Sequence, residues 1–299
     1  MKNKVKKLNW LLILLFISAI SAYSQSELSA YYSLGSKSAP LHEVSLEVKN
    51  ALEAGGFEII GEYNPEDSKY MKVIVYTSKD LKKITFGVKD KGALAAALKV
   101  GLFRKGDVTD ISMLNPEYLF FAYLRDNIND YSKLTEISDE AKKALRTVGN
   151  EFEPFGGMLE VKKLKKYHFM IGMPYFDDPV ILQDFASFNS GVTTIQNNLE
   201  KEGGNAIKVY ELIDTEREVA VFGVGLLNKD YGEAKFLPII GEDHIAAMPF
   251  ELIIVGKRAS MLHGKYRIAL HWPELSMGTF TKIMSTPGNV EDYMKALTK

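Results

Sequence analysis

The chain has 299 residues, 46% apolar and 25% charged, enough apolar material for a sizeable core and a length that suggests about two domains. It contains no cysteine, which excludes thiol catalysis, thiolate metal sites and disulfides. Its formal net charge is −1 at pH 7, without the basic excess that nucleic-acid binding draws on.

The first residues differ in kind from the rest. Lys2, Lys4, Lys6 and Lys7 precede the apolar run LNWLLILLFISAI, and small residues Ala22 and Ser24 stand at −3 and −1 before Gln25. This pattern predicts a signal peptide over residues 1–24 and an exported protein, periplasmic or secreted. The run is short of the ~20 apolar residues a spanning helix needs, and no later run is long enough, so no stable membrane span is expected after cleavage. Removing residues 1–24 leaves 33 basic against 38 acidic residues.

ELSAYYSL reads as an edge strand. LHEVSLEVKNALEAGG places Leu41, Val44, Val48, Ala51 and Leu52 at helical spacing, stopped by Gly55-Gly56. FEIIGEY and MKVIVYTS read as strands, KGALAAALKVGLF as a short helix or a join, and DVTDISML as a strand ended at Asn115-Pro116. EYLFFAYLRDNINDYSKL and SDEAKKALRTVG read as helices, the second capped by Ser138. Residues 151–190 form a connector in which VKKLKKYHFMIGMPYF and DDPVILQDFASF each hold a candidate strand, one of them serving the second half. Then come a helix stopped by Gly203-Gly204, strands AIKVYELI, VAVFGVGLL, PFELIIVG and KYRIALHW, and closing helices LSMGTFTKIMS and NVEDYMKALTK.

The order of elements recurs. The Gly-Gly pairs lie 148 residues apart, and the Pro-Glu pairs in DISMLNPEYL and RIALHWPELS lie 157 apart. The longer loop NKDYGEAKFLPIIGEDH accounts for the difference. The expected organisation is α+β: two tandem two-layer α/β sandwich repeats, over 25–150 and 191–299, packed as an internal pseudo-dimer.

The helix, the glycine-plus-strand, the strand closing in DISMLNPEYL and the trailing helices resemble the bacterial family of domains of unknown function numbered 302, in two tandem copies. Residues 41–150 carry the closer likeness; residues 191–299 depart from it at the extra loop and at Trp272. The resemblance implies a small α+β sandwich and no established reaction, so it assigns no catalytic residue.

Histidine is the residue type that titrates near neutrality and ligates metals. His42, His168, His244, His263 and His271 show no metal-ligand spacing, and no metal site or cofactor is expected. On a strand KYRIALHW, Arg267 and His271 would share one face. They and His263 are the candidate ligand-binding residues, Arg267 for an anionic group and His271 for a proton or a lone pair. Asp177-Asp178 before Pro179 reads as a turn, GVG lies inside a strand and is no dinucleotide fingerprint, and KKLKK at 162–166 reads as a solvated face or an anionic-surface contact. The expectation is a non-enzymatic module for a small anionic ligand or an envelope protein. The alternatives are a metal-assisted hydrolase using the second repeat and a structural envelope-interaction protein.

Overall fold

The computed structural model describes residues 27–202 and 204–299; the expected signal peptide and its cleavage site lie outside the described residues. Two antiparallel sheets form the framework. The first is built from β1 (Glu27–Lys37), β2 (Glu58–Tyr63), β3 (Met71–Thr77), β4 (Leu98–Lys105), β5 (Val108–Leu114) and β6 (Glu153–Glu160) in the order β2-β3-β4-β5-β1-β6. The second contains β7 (Val180–Asp184), β8 (Ala206–Asp214), β9 (Val219–Leu226), β10 (Phe250–Val255) and β11 (Arg258–Met261) in the order β7-β11-β10-β9-β8. Replacing each strand of the second sheet by its counterpart gives the same order, and only β6 lacks an equivalent. The fold is α+β, with two sandwich repeats facing one another.

The helices of the first repeat are α1 (Leu41–Ala54), α2 (Lys79–Phe86), α3 (Pro116–Leu124) and α4 (Ser132–Leu145), with the single turn α5 (Val161–Leu164) after β6. The second has α6 (Phe188–Lys201), the short turn α7 (Leu237–Ile240), α8 (Gly264–His271), α9 (Met277–Lys282) and α10 (Thr286–Ala296). α1 buries Leu41, Val44, Val48 and Leu52, the stripe its spacing predicts, on the first sheet. α6 does the same on the second with Phe188, Ile195 and Leu199, and starts in a Ser187–Ser190 capping box. Both turns out of these helices need a glycine at positive φ, Gly56 at 83° and Gly204 at 97°.

β1 is not the edge strand expected of ELSAYYSL, since it pairs with β5 on one side and β6 on the other, and three further sequence expectations are corrected. KYRIALHW is not a strand: residues 264–271 are α8, and the last strand of the second sheet is RASM at 258–261. Every residue from Tyr266 to His271 is buried, so neither period marks the stretch. The internal match therefore shifts. The offset of 148 that separates the Gly-Gly pairs also places Ser112-Met113-Leu114 on Ser260-Met261-Leu262 and Tyr118 on Tyr266. Asn115 caps α3 by accepting from Glu117 N, and His263 caps α8 by accepting from Lys265 N. Pro116 thus corresponds to Gly264, and the Pro-Glu pair at 273 is unrelated. Second, the extra strand of the connector precedes VKKLKK rather than lying within it, and residues 180–184 supply the strand that β1 supplies in the first repeat. Third, Ser138 is a buried interior residue of α4, which begins a turn and a half earlier.

The repeats interlock reciprocally. The 3-10 turn at Gly92–Ala96 lies on β9 and β10, and its counterpart at Glu242–Ala247 lies on β3, β4 and β5. Such crossing segments need small residues: a Cβ on Gly101 would stand 2.7 Å from Ile245 Cγ1. The edge strands β2 and β8 meet at matching bulges, where a Cβ on Gly61 would lie 2.0 Å from the Val209 carbonyl oxygen. Glu233 closes the same seam, accepting from Tyr63 Oη at 2.9 Å, Glu66 N at 3.2 Å and Leu226 N at 3.1 Å. Burial raises its carboxyl to about 7 against the pull of those donors.

Candidate functional site

Arg267 and His271 stand one turn apart on α8, not on a strand face, and both are enclosed, at 2% and 0% exposure. Arg267 belongs to a buried triad that joins the repeats. Its Nε and Nη2 lie 3.3 Å from Glu251 Oε2, Nη2 also donates to the carbonyls of Ala247 and Pro249, and Glu251 Oε1 takes Lys99 Nζ from the opposite sheet. Desolvation is the largest single influence on Arg267 and opposes its charge, but Glu251, Tyr123 and Tyr31 together outweigh it and its pKa is raised. At Lys99 desolvation wins and the pKa is lowered, with Glu251 pulling the other way. Two cations share one carboxylate here, and Arg267 Nη1 has no partner among the described residues.

His271 ends α8. Its Nε2 lies 3.1 Å from Tyr123 Oη, and its Nδ1 is without a partner among the described residues. Burial, then the charges of Arg267 and Lys99, hold it well below the ordinary imidazole range, so it is neutral near pH 7. The free carbonyls at this helix end are taken by three tyrosines: Tyr31 donates to His271 O at 2.8 Å, Tyr118 to Leu270 O at 2.7 Å and Tyr167 to Ala269 O at 2.8 Å. His263, half-buried, caps the other end through Nδ1, 3.2 Å from Lys265 N. In this structure the three residues hold α8 and the seam between the repeats.

Accessible concavities lie elsewhere. A cleft of ≈ 580 Å³ between α2 and the β8–β9 turn is lined by Glu58, Lys82, Glu211 and Asp214 among others. These charges are largely paired: Lys82 with Glu58 at 2.6 Å, Glu211 with Lys208 at 3.2 Å, Asp214 with Arg217 at 2.6 Å. A groove of ≈ 270 Å³ runs past His244 and Trp272. His244 is packed among the rings of Tyr31, Phe155 and Trp272, with Nδ1 2.7 Å from Asp243 Oδ1.

Lys83 and Glu216 also line the first cleft without an ion partner among the described residues, one charge of each sign; the concavity whose unpaired charge is all of one sign is on the connector. Lys162, Lys163, Lys166, His168 and one acid, Glu160, line a pocket of ≈ 540 Å³ together with the apolar Leu159, Tyr167, Phe169 and Pro273, which form its floor. The sequence builds it in one pass. β6 ends at Glu160, α5 makes one turn and buries Leu164, and the exposed lysines turn outward around it. Tyr167 anchors the next step through its bond to Ala269, and His168 closes the loop 168–173 by bonding Met173 O at 2.8 Å and stacking on Tyr175 at 3.8 Å. Asp177, expected in a turn, is drawn off to Arg125 at 2.5 Å, and Asp178 accepts from Tyr175 N at 2.9 Å. Lys163 pairs with Glu160 at 3.0 Å, whereas Lys162 and Lys166 have no acidic partner within 4.0 Å among the described residues. Two free ammonium groups over an apolar floor suit a ligand with an anionic head and an apolar body. Among the described residues no group of three or more His, Asp or Glu side chains is gathered as a metal site would need. The run KKLKK was the sequence signal for this pocket, and its floor was not visible there.

No family model and no curated protein matches this chain. Among solved structures it is similar to an uncharacterized conserved protein, DUF302, from Bacillus stearothermophilus. That likeness has 16% identity and a TM-score of 0.31, and covers 42% of this chain and 98% of the other.

Proposed function

We propose that the chain is an exported, non-enzymatic binding module, divided into repeats over 25–150 and 191–299 with the connector 151–190 carrying the site, and that it takes a small amphipathic anion in the lysine-rimmed pocket. The observation that supports this most is the unpaired state of Lys162 and Lys166 beside an apolar floor in a chain that is otherwise net acidic. Two solvated ammonium groups with no acid to face keep their charge available to an anion, and the apolar floor beside them favours one that carries an apolar body. A second reading, hydrolysis in the second repeat, has the Asp243–His244 pair in its favour, since a carboxylate on Nδ1 leaves Nε2 as the basic nitrogen.

Decanoate is the probe: one carboxylate on a chain that fits the pocket. Isothermal titration at low ionic strength is expected to show binding that the folded double variant Lys162→Glu/Lys166→Glu weakens by about tenfold to thirtyfold, at up to about 1 kcal/mol per exposed ion contact. The double variant Arg267→Ala/His271→Ala, if folded, keeps the affinity. Absence of binding to the wild type, or unchanged binding in the lysine variant, overturns the reading. Turnover of an ester probe lost in His244→Ala favours the hydrolytic one.

A further inference from the structure

The pocket sits beside the most exposed large apolar side chain among the described residues. Ile171 is 99% exposed at the tip of the loop His168–Met173, next to Met170 at 43%, and Gly172 turns the chain there with φ at +84°. Tyr175 lies half-exposed at the base of the loop, and exposed Met277 of α9 stands nearby, where Phe169, Met173, Met277 and Phe280 line one small crevice. Apolar residues on a loop tip held by hydrogen bonds at its base cost solvation continuously in water. The loop is not loose: His168 ties it to Met173 and Tyr175, and Arg125 holds its origin through the Lys165 carbonyl at 3.1 Å.

We infer that this face docks on an anionic membrane surface, with the Met170-Ile171 tip entering the interface and the Lys162–Lys166 rim receiving lipid phosphates. The inference rests on the anion pocket proposed above and names the form in which the anion is presented. Charge argues for this occupant over an apolar protein partner. The unpaired lysines line a pocket together with His168 and Phe169 at the start of the same loop, and the nearby acids are engaged: Asp177 by Arg125, Asp178 by the Tyr175 amide and Glu160 by Lys163. Beyond residue 24 the chain has 33 basic and 38 acidic residues, so a negative surface attracts this face and repels the remainder. An apolar tip beside basic residues, with a tyrosine at the level of the headgroups, is the composition by which proteins settle at the lipid interface.

The absence of cysteine allows a clean test on the full chain. Ile171→Cys carries an environment-sensitive fluorophore, and Thr215→Cys, in the exposed β8–β9 turn, carries the same label as a reference. Each is mixed with vesicles of phosphatidylcholine alone or with one-third phosphatidylglycerol. The expected result is a several-fold, blue-shifted rise at position 171 with the anionic vesicles only. It disappears in the Lys162→Glu/Lys166→Glu background, and position 215 does not change. A label at 171 that stays aqueous while decanoate still binds overturns membrane docking and leaves the soluble-ligand reading standing. A rise that is the same on neutral vesicles, or that survives loss of the lysines, also overturns it.

Discussion

Replacing Glu251 by glutamine tests what holds the repeats together. The triad contains two cations and one carboxylate, all buried. Glu251→Gln keeps the size and one acceptor but leaves Lys99 and Arg267 as neighbouring buried cations. Breaking a buried pair from one side costs about 3–5 kcal/mol, because the remaining charge has no partner. At about 2–3 °C of Tm per kcal/mol for a chain of this size, the melting temperature falls by about 6–15 °C. Lys99→Met removes a cation instead. Glu251 then still faces Arg267 one to one, and the methionine fills the lysine's apolar path, so the loss is expected to stay near or below about 1.5 kcal/mol. Thermal and urea unfolding at pH 7.5 followed by circular dichroism give both numbers. The asymmetry is the prediction. Equal losses, or a Glu251→Gln loss below about 1 kcal/mol, would refute the view that one carboxylate neutralises both cations.

His271 predicts an acid-sensitive fold. Its pKa is lowered in the folded state, so the unfolded chain takes up the proton first. The stability it contributes is present above the unfolded value near 6.5 and is lost as pH falls from there, at up to about 1.4 kcal/mol per pH unit. Glu233 acts with the opposite sign: its raised folded pKa of about 7 gives stability that is lost as pH rises through that value. The check is therefore the difference between wild type and His271→Gln in urea midpoints from pH 7.5 to 5.5; the difference should shrink toward acid, and a constant difference contradicts the depressed pKa. Gly61→Ala should cost about 2–3 kcal/mol, because the new methyl meets the Val209 carbonyl at 2.0 Å; a neutral result in chemical denaturation would mean that the β2 and β8 edges are not in contact.

The duplicated framework was legible in the sequence where local physics writes it. The Leu41–Leu52 stripe, the glycine stop after it and the β-branched strands follow from periodicity and turn chemistry, and the recurrence of the order pointed to two sheets. The error at KYRIALHW has a physical cause. α3 and α8 are buried on nearly every side, Tyr118 to Leu124 except the half-buried Phe121, and Tyr266 to His271 throughout, so no polar face marks their period. β11 is three residues shorter than β5, which displaced the match and made a coincidental Pro-Glu pair look equivalent. The short helix α2, capped by Ser78, went unseen for a related reason: eight residues between a strand and an alanine-rich join give too little pattern. For the site, residue types suggested Arg267 and His271, but burial is a tertiary fact, and only the fold shows that Glu251 and Lys99, far apart in sequence, enclose them. The lysine run was visible as a run; the floor of Leu159, Tyr167, Phe169 and Pro273 comes from three elements that only the fold assembles.

Amide chemical-shift mapping of the folded chain with decanoate tests the location of the site most directly. The account predicts saturable shifts centred on Lys162, Lys166, His168 and Phe169, reaching Pro273's neighbours Trp272 and Glu274, with the Glu58–Glu211 cleft unchanged. Shifts centred on the cleft, on the His244 groove or on α8, with the lysine turn unmoved, would contradict it.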